Sequence, residues 1–198
     1  MNRPASDKSA LDKVFAPGPL VLAGMIVVAA LTRLLPHPPN FSPVEAIALF
    51  GGAYFASRRW AFIVPLVGMF LSDIALAAIN GGAYATWFSG AGIWVVYLCV
   101  ALTTALGLNL RGRVSGSRVL GYSLLGSVLF FVVTNFATWA FQVIPMYPMT
   151  AAGLGAAFVA GIPFFQWTVL GTLFYAALLF GGFALLRQRV PALRVQTV

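Results

Sequence analysis

Few side chains in this sequence could carry out catalysis, because only 8% of its residues are charged. After residue 16 the acidic residues are Glu45 and Asp73, the histidine is His37 and the cysteine is Cys99. Two carboxyl groups could act as general acid and base if they lay about 5–9 Å apart, as in glycosidases. No GxSxG, HExxH, Walker or CxxC motif accompanies them. We therefore expect no enzyme, no metal site and no cofactor, and keep a membrane enzyme that uses Glu45 and Asp73 as an alternative.

The composition indicates a membrane protein. Hydrophobic residues make up 61% of the 198 positions and charged residues 8%, whereas a soluble domain has about 25% charged residues. The net charge of +8 would suit a nucleic-acid partner, but the basic residues are divided among short segments between apolar runs. Because this division follows the positive-inside rule, we expect the lipid bilayer, and no nucleic acid, as a partner.

Basic segments alternate along the chain with segments that carry no charge. Segments 80–89 and 142–163 contain no Lys, Arg, Asp or Glu. The alternation predicts a multi-pass protein of the bacterial inner membrane with both termini in the cytoplasm. The basic segments contain Arg3, Lys8 and Lys13, then Arg58 and Arg59, then Arg111, Arg113 and Arg118, and finally Arg187, Arg189 and Arg194.

The apolar runs predict an all-α bundle of six transmembrane helices. Ser42, Pro43 and Glu45 have the pattern of a capping box at the start of the second helix. That helix would span about 22 Å, which is short for a hydrocarbon core of about 30 Å, so a re-entrant segment is its alternative. The expected helices cover 19–35, 43–57, 60–79, 90–110, 117–141 and 164–187.

The last helix is preceded by a short helix expected over 150–161, which Gly161 and Pro163 would separate from it. Such a break resembles the discontinuous helices of transporters, so this short helix could act as a gate. The whole membrane domain is expected to cover 17–189, between a disordered cytoplasmic tail at 1–16 and a cytoplasmic tail at 190–198.

Strongly polar side chains gather at one depth of the expected bundle. Arg33, Glu45 and Asp73 fall in its outer third, where such groups mark binding sites or pathways. Asn135 falls at the same depth, and its alternative is an interhelical hydrogen bond. The alternatives for the other residues are an Arg33–Asp73 ion pair and a capping role for Glu45. The shared depth predicts an outward-facing chamber that captures a small solute, lined by Arg33, His37, Asn40, Glu45, Asp73, Asn80, Tyr84, Asn135, Trp139 and Gln166.

Five stretches of the sequence are distinctive: RLLPHPPNFSPVEA from Arg33, LFGGAYF from Leu49, SD at Ser72, FFVVTNF from Phe130 and IPFF from Ile162. Together they resemble an uncharacterised family of small bacterial membrane proteins with six predicted helices. The resemblance covers about residues 20–187. It implies the six-helix fold and a membrane location rather than an activity.

The layout of six helices with an outward-facing site is similar to the S-components of energy-coupling-factor vitamin transporters. This resemblance implies uptake of a vitamin or cofactor precursor, with a cobalamin-like solute included, and an energising membrane subunit as partner. The cobalamin-binding members ligate cobalt through a cysteine, whereas Cys99 lies in the middle of an expected helix. The alternative is a structural or assembly subunit that packs through pairs of small residues, such as Ala151 with Gly155.

Overall fold

The computed structural model describes residues 17–82, 84, 90–142 and 146–193. The predicted tail at 1–16 and the last part of the tail, 194–198, lie outside the described residues. Helices suit an apolar chain, because they satisfy the backbone hydrogen bonds internally. Within the described ranges there are six helices: α1 Pro17–Leu31 with a 3₁₀ turn Thr32–Leu34, α2 Val44–Tyr54, α3 Arg58–Asn80, α4 Ala91–Gly107 with a 3₁₀ turn Leu108–Leu110, α5 Gly116–Ala140, and α6 Ala151–Arg189, which contains a π-helical segment Ala177–Gly181.

Among the described residues, four helices are long and apolar enough to cross a membrane. They are α3, the span Gly92–Leu110, α5 and α6. The other two, α1 and α2, are shorter apolar helices. Large apolar side chains are exposed along the long helices, as expected where lipid is the solvent. The fold is that of an all-α membrane protein.

Helix α2 is the centre of the bundle. Every residue from Val44 to Tyr54 is buried, and the helix contacts each of the other five helices. Its 11 residues span about 16 Å, roughly half the thickness of a hydrocarbon core. The helix predicted over 43–57 is therefore shorter than expected, and α2 alone does not cross a membrane.

The predicted capping box does not form at the start of α2. Pro43 is the N-cap residue and makes no side-chain cap, and the Glu45 carboxylate accepts only from the backbone amide of its own residue in the first turn. Ser42 packs instead against Gly171 of α6, where a Cβ atom would lie 2.7 Å from the Ser42 nitrogen. The carboxylate of Glu45 turns toward α6 and accepts a hydrogen bond from Thr172. Contacts with α6 therefore replace the local cap.

Helix α6 is continuous where the sequence predicted a break. The helix runs through Pro163 without interruption. Gly161 packs against α5, and the side-chain amide of Asn135 occupies the space that a Cβ atom on Gly161 would need. Proline is tolerated inside membrane helices because neighbouring groups adjust to the freed carbonyl. The prediction of a separate gate helix at 150–161 is therefore wrong.

All the described arginines except Arg33 lie at one end of the bundle. Arg111 follows α4, and its guanidinium donates to the carbonyl oxygens of Gly52 at 3.0 Å and Phe55 at 2.7 Å. These bonds satisfy carbonyl groups at the C-terminus of the buried α2, which lack intrahelical donors. Arg58, at the start of α3, lies near enough for its charge to act on Arg111. We call this the arginine-rich end, and it holds Arg58, Arg59, Arg111, Arg113, Arg118, Arg187 and Arg189.

Replacing Arg111 with glutamine is expected to lower the free energy of unfolding by about 2–3 kcal/mol. The reason is that carbonyl groups at the end of α2 lose a charged donor inside the bundle. Unfolding of the purified protein in detergent measures the change. Arg113→Gln is the matched control, because Arg113 is exposed. Equal losses in the two variants would contradict the capping role of Arg111.

Candidate functional site

A buried ion pair joins α1 to α3. Arg33 lies in the turn that ends α1, and its Nη1 atom donates to Oδ1 of Asp73 over 2.7 Å. The side chain of Asp73 is 0% exposed and that of Arg33 is 10% exposed. The same nitrogen donates to Oγ of Ser72 over 2.5 Å. The Arg33–Asp73 ion pair that the sequence offered as an alternative is thus present, and a binding role for the two residues stays a prediction.

Two tyrosine hydroxyls complete the hydrogen bonds of the Asp73 carboxylate. Tyr84 donates to Oδ1 over 2.9 Å, and Tyr97 of α4 donates to Oδ2 over 2.8 Å. Burial raises the pKa of Tyr84 to about 12. Arg33 Nη2 also reaches the Tyr84 hydroxyl at 3.3 Å. We call Arg33, Ser72, Asp73, Tyr84 and Tyr97 the Asp73 network.

Glu45 is a second buried acidic residue, and it lies near half the depth of the bundle. It occupies the first turn of α2 and is 2% exposed. Its Oε2 atom accepts a hydrogen bond from Oγ1 of Thr172 at 3.3 Å, and Thr172 lies near the middle of α6. Its Cβ atom faces Gly126, which lies near the middle of α5. Asp73, by contrast, lies in the last third of α3.

A buried threonine packs on the same glycine of α5, Gly126, as Glu45 does. Thr103 of α4 is 1% exposed, and its Oγ1 atom has no hydrogen-bond partner within the described residues. Its methyl group is 3.3 Å from the position that a Cβ atom would take on Gly126. Arg33 is close enough for its charge to act on Glu45. Glu45, Thr103 and Thr172 therefore form a second polar cluster near the Asp73 network, which we call the Glu45 centre.

The remaining predicted site residues do not join these clusters. Asn135 donates to the carbonyl oxygen of Phe131 within α5, so this hydrogen bond is not the interhelical one expected as an alternative, and its side chain packs against Gly161 of α6. His37 and Asn40 are exposed in the segment before α2. Their part in binding stays a prediction. Three others donate to nearby carbonyl oxygens: Asn80 to Leu76, Trp139 to Pro148 and Gln166 to Pro163.

Four residues of the two clusters are not among those predicted to bind solute. Ser72 is the neighbour of Asp73 in sequence, and Tyr97 is a tyrosine inside an apolar run. Both could therefore have been predicted from the sequence as members of the site. Thr103 and Thr172 lie in apolar helices where a threonine usually bonds its own backbone. Only the packing of α2 against α4 and α6 identifies them.

The Glu45 centre can exchange hydrogen bonds with a polar solute. Both oxygens of Asp73 have side-chain donors, whereas Glu45 has one side-chain donor and its own backbone amide, and the Thr103 hydroxyl has no partner among the described residues. A hydroxyl group of a solute could donate to Glu45 and accept from Thr103, whereas an ammonium group could only donate to Glu45. In the part of the chain that the structure describes, no three His, Cys, Asp or Glu side chains come together as a metal site.

Comparison with known proteins identifies a family. The model of a family of unknown function (DUF6580) matches residues 13–193. The chain therefore belongs to this family. No curated protein and no solved structure matches the chain. The similarity to S-components gains no support from these comparisons and stays a prediction.

Proposed function

We propose that this member of the family is an integral membrane protein that binds a small polar solute and serves its uptake. The solute would lie between the Asp73 network and the Glu45 centre. It would enter from the end of the bundle opposite the arginine-rich end, and we propose a vitamin or cofactor precursor as its class. All six helices would be embedded in the bacterial inner membrane, with both termini in the cytoplasm.

The observation that carries the proposal is the burial of Glu45 near half the depth of the bundle. A carboxylate in an apolar interior is costly unless other groups compensate its charge. The carboxylate of Glu45 accepts from the backbone amide of its own residue and from Thr172 at 3.3 Å, and the positive charge of Arg33 in the neighbouring cluster adds a weaker attraction. Membrane proteins keep such ionisable groups where solutes, ions or protons pass.

The shortness of α2 supports a binding site at this depth. Half-helices of transporters place their N-termini near the bilayer midplane, where free amides and the helix dipole face the substrate. The N-cap residue of α2, Pro43, makes no side-chain cap, and the Glu45 carboxylate accepts from the amide of its own residue. Segment 35–43 leads to it from the end opposite the arginine-rich end. A solute could follow this segment to Glu45 and Thr103.

Uptake against a gradient would need a source of energy outside this sequence. No nucleotide-binding loop is present in the sequence, so an energising membrane subunit or an ion gradient would drive release. Release would require the bundle to rearrange around α2, since this helix is buried along its whole length.

Glu45→Gln is expected to reduce solute retention at least about tenfold, because a lost hydrogen bond to a charged group costs about 1.5–3 kcal/mol. Wild-type protein and variant would be incubated with a metabolite extract and washed on affinity resin. Mass spectrometry of the released solutes then measures retention. Asn109→Ala is the control, because Asn109 is exposed at the arginine-rich end and bonds to the carbonyl oxygen of Leu106.

One outcome of this experiment would contradict the proposal. If wild type and Glu45→Gln retain the same solutes in the same amounts, the Glu45 centre is not a binding site. Circular dichroism of both variants shows whether a loss of retention comes from a loss of the fold instead.

An assembly subunit is the second candidate function. Ala151 and Gly155 are exposed one helical turn apart on α6, and a Cβ atom on Gly155 would meet nothing within 4 Å. Small residues at this spacing let membrane helices approach closely. This function predicts a stable complex with another membrane protein, weakened by Gly155→Leu, together with no retained solute.

A further inference from the structure

A groove of about 820 Å³ separates α5 and α6 toward the arginine-rich end. This volume lies within the range of sites that hold small ligands, about 300–1,000 Å³. Val119 and Leu120 line it on α5, and Leu173 and Phe180 line it on α6. None of the residues predicted to bind solute lines it. The groove is therefore separate from the Glu45 centre.

A π-helical segment of α6 lines this groove. The π-helical segment Ala177–Gly181 forms part of its wall, and π-helical turns occur often at functional sites. A Cβ atom on Gly181 would meet nothing within 4 Å. Leu120 and Ala184 line the groove and are exposed, so it opens sideways. In a membrane that side faces lipid.

Polar groups occur at two points of the otherwise apolar groove. Arg187 lies at its end, with the guanidinium 5.9 Å from the ring centre of Phe183 and bonded to the Tyr54 hydroxyl. Ser123 lies deeper in the wall. It is 0% exposed, and its Oγ atom has no hydrogen-bond partner among the residues the structure describes. Because a buried hydroxyl without a partner is unfavourable, an oxygen atom of a ligand is expected there.

We propose that the groove binds an anionic phospholipid, with an acyl chain between α5 and α6 and its phosphate at Arg187. A guanidinium has five N–H donors, so Arg187 can bind phosphate while it keeps its bond to Tyr54. Ser123 donates to an ester oxygen of the same lipid. Basic pockets beside membrane helices favour anionic headgroups, and Arg113 and Arg118 add positive charge at this end.

Lipid retention in nanodiscs of equal phosphatidylglycerol and phosphatidylcholine content tests the proposal. After extraction, native mass spectrometry gives the ratio of the two lipids that stay bound. Arg187→Gln is expected to lower the ratio of phosphatidylglycerol to phosphatidylcholine about tenfold. Gly181→Leu fills the groove without a change of charge and is expected to lower retention of both lipids. Arg189→Gln is the control, because Arg189 is exposed and does not line the groove.

An unchanged lipid ratio in Arg187→Gln overturns the proposal, and so does unchanged lipid retention in Gly181→Leu. A protein partner that Gly181→Leu displaces while lipid retention stays constant also overturns it. If Arg187→Gln does not fold, the result for Gly181→Leu decides alone. If Arg187 only stabilised the fold, Arg187→Gln would change the stability of the protein in both lipids and leave the ratio of bound phosphatidylglycerol to phosphatidylcholine unaltered.

Discussion

Asp73→Leu is expected to lower the free energy of unfolding by about 3–5 kcal/mol. The substitution leaves Arg33 nearly buried without its carboxylate, because the side chain of Arg33 is 10% exposed in the intact pair. It also removes the acceptor of the Tyr84 and Tyr97 hydroxyls. Unfolding of purified protein in detergent, followed by circular dichroism, measures the loss.

The double variant Arg33→Met with Asp73→Leu separates the ion pair from the packing around it. Replacing both partners of a buried pair by apolar residues often restores stability, whereas removing one does not. We therefore expect the double variant to be more stable than Asp73→Leu, with a coupling energy of at least about 1 kcal/mol. If the double variant loses as much free energy of unfolding as Arg33→Met and Asp73→Leu lose together, the two residues do not act as one unit.

Gly52→Val is expected to cost at least about 3 kcal/mol or to prevent folding. A Cβ atom on Gly52 would overlap the carbonyl oxygen of Thr104 in α4 and lie 2.8 Å from the backbone of Gly107. Gly107 makes the reciprocal contact, with its Cβ position 2.5 Å from the Leu49 carbonyl oxygen. These neighbours are backbone atoms, so the two helices would have to separate. The yield of folded protein and its unfolding temperature measure the effect.

Gly121→Val is the matched control for this contact. Gly121 is an exposed residue of α5, and a Cβ atom on it would meet nothing within 4 Å. Both variants carry the same penalty for valine in a helix, so their difference reports the contact alone. Similar stability of the two variants would show that α2 and α4 do not touch at these glycines.

The long helices and the Arg33–Asp73 contact could be predicted from sequence. Runs of apolar residues of membrane length predicted α3, α4 and α5 within about three residues of their observed ends. A buried charge requires a partner of opposite charge. Because few charged residues occur in the apolar runs, the sequence favoured an ion pair between Arg33 and Asp73. The length of the apolar runs and the need to pair buried charges were enough to predict these features.

The position of α2 and the continuity of α6 could not be predicted in the same way. Ser42, Pro43 and Glu45 satisfy the local rule for a capping box, but contacts with Gly171 and Thr172 of α6 override it. Pro163 satisfies the local rule for a helix break, yet α6 continues. In both cases residues far apart in sequence decide the outcome, and a single sequence does not reveal which helices meet.

Thiol labelling of a cysteine placed at Ser42 tests the account most directly, since Ser42 lies next to the start of α2. Cys99 is the sole cysteine and is 1% exposed, so Cys99→Ala provides the background. We predict that a membrane-impermeant reagent labels Ser42→Cys from outside intact spheroplasts, whereas Arg59→Cys at the arginine-rich end is labelled only in inside-out vesicles. Labelling of Ser42→Cys only in inside-out vesicles, or from neither side, would contradict a solute path that opens to the outside.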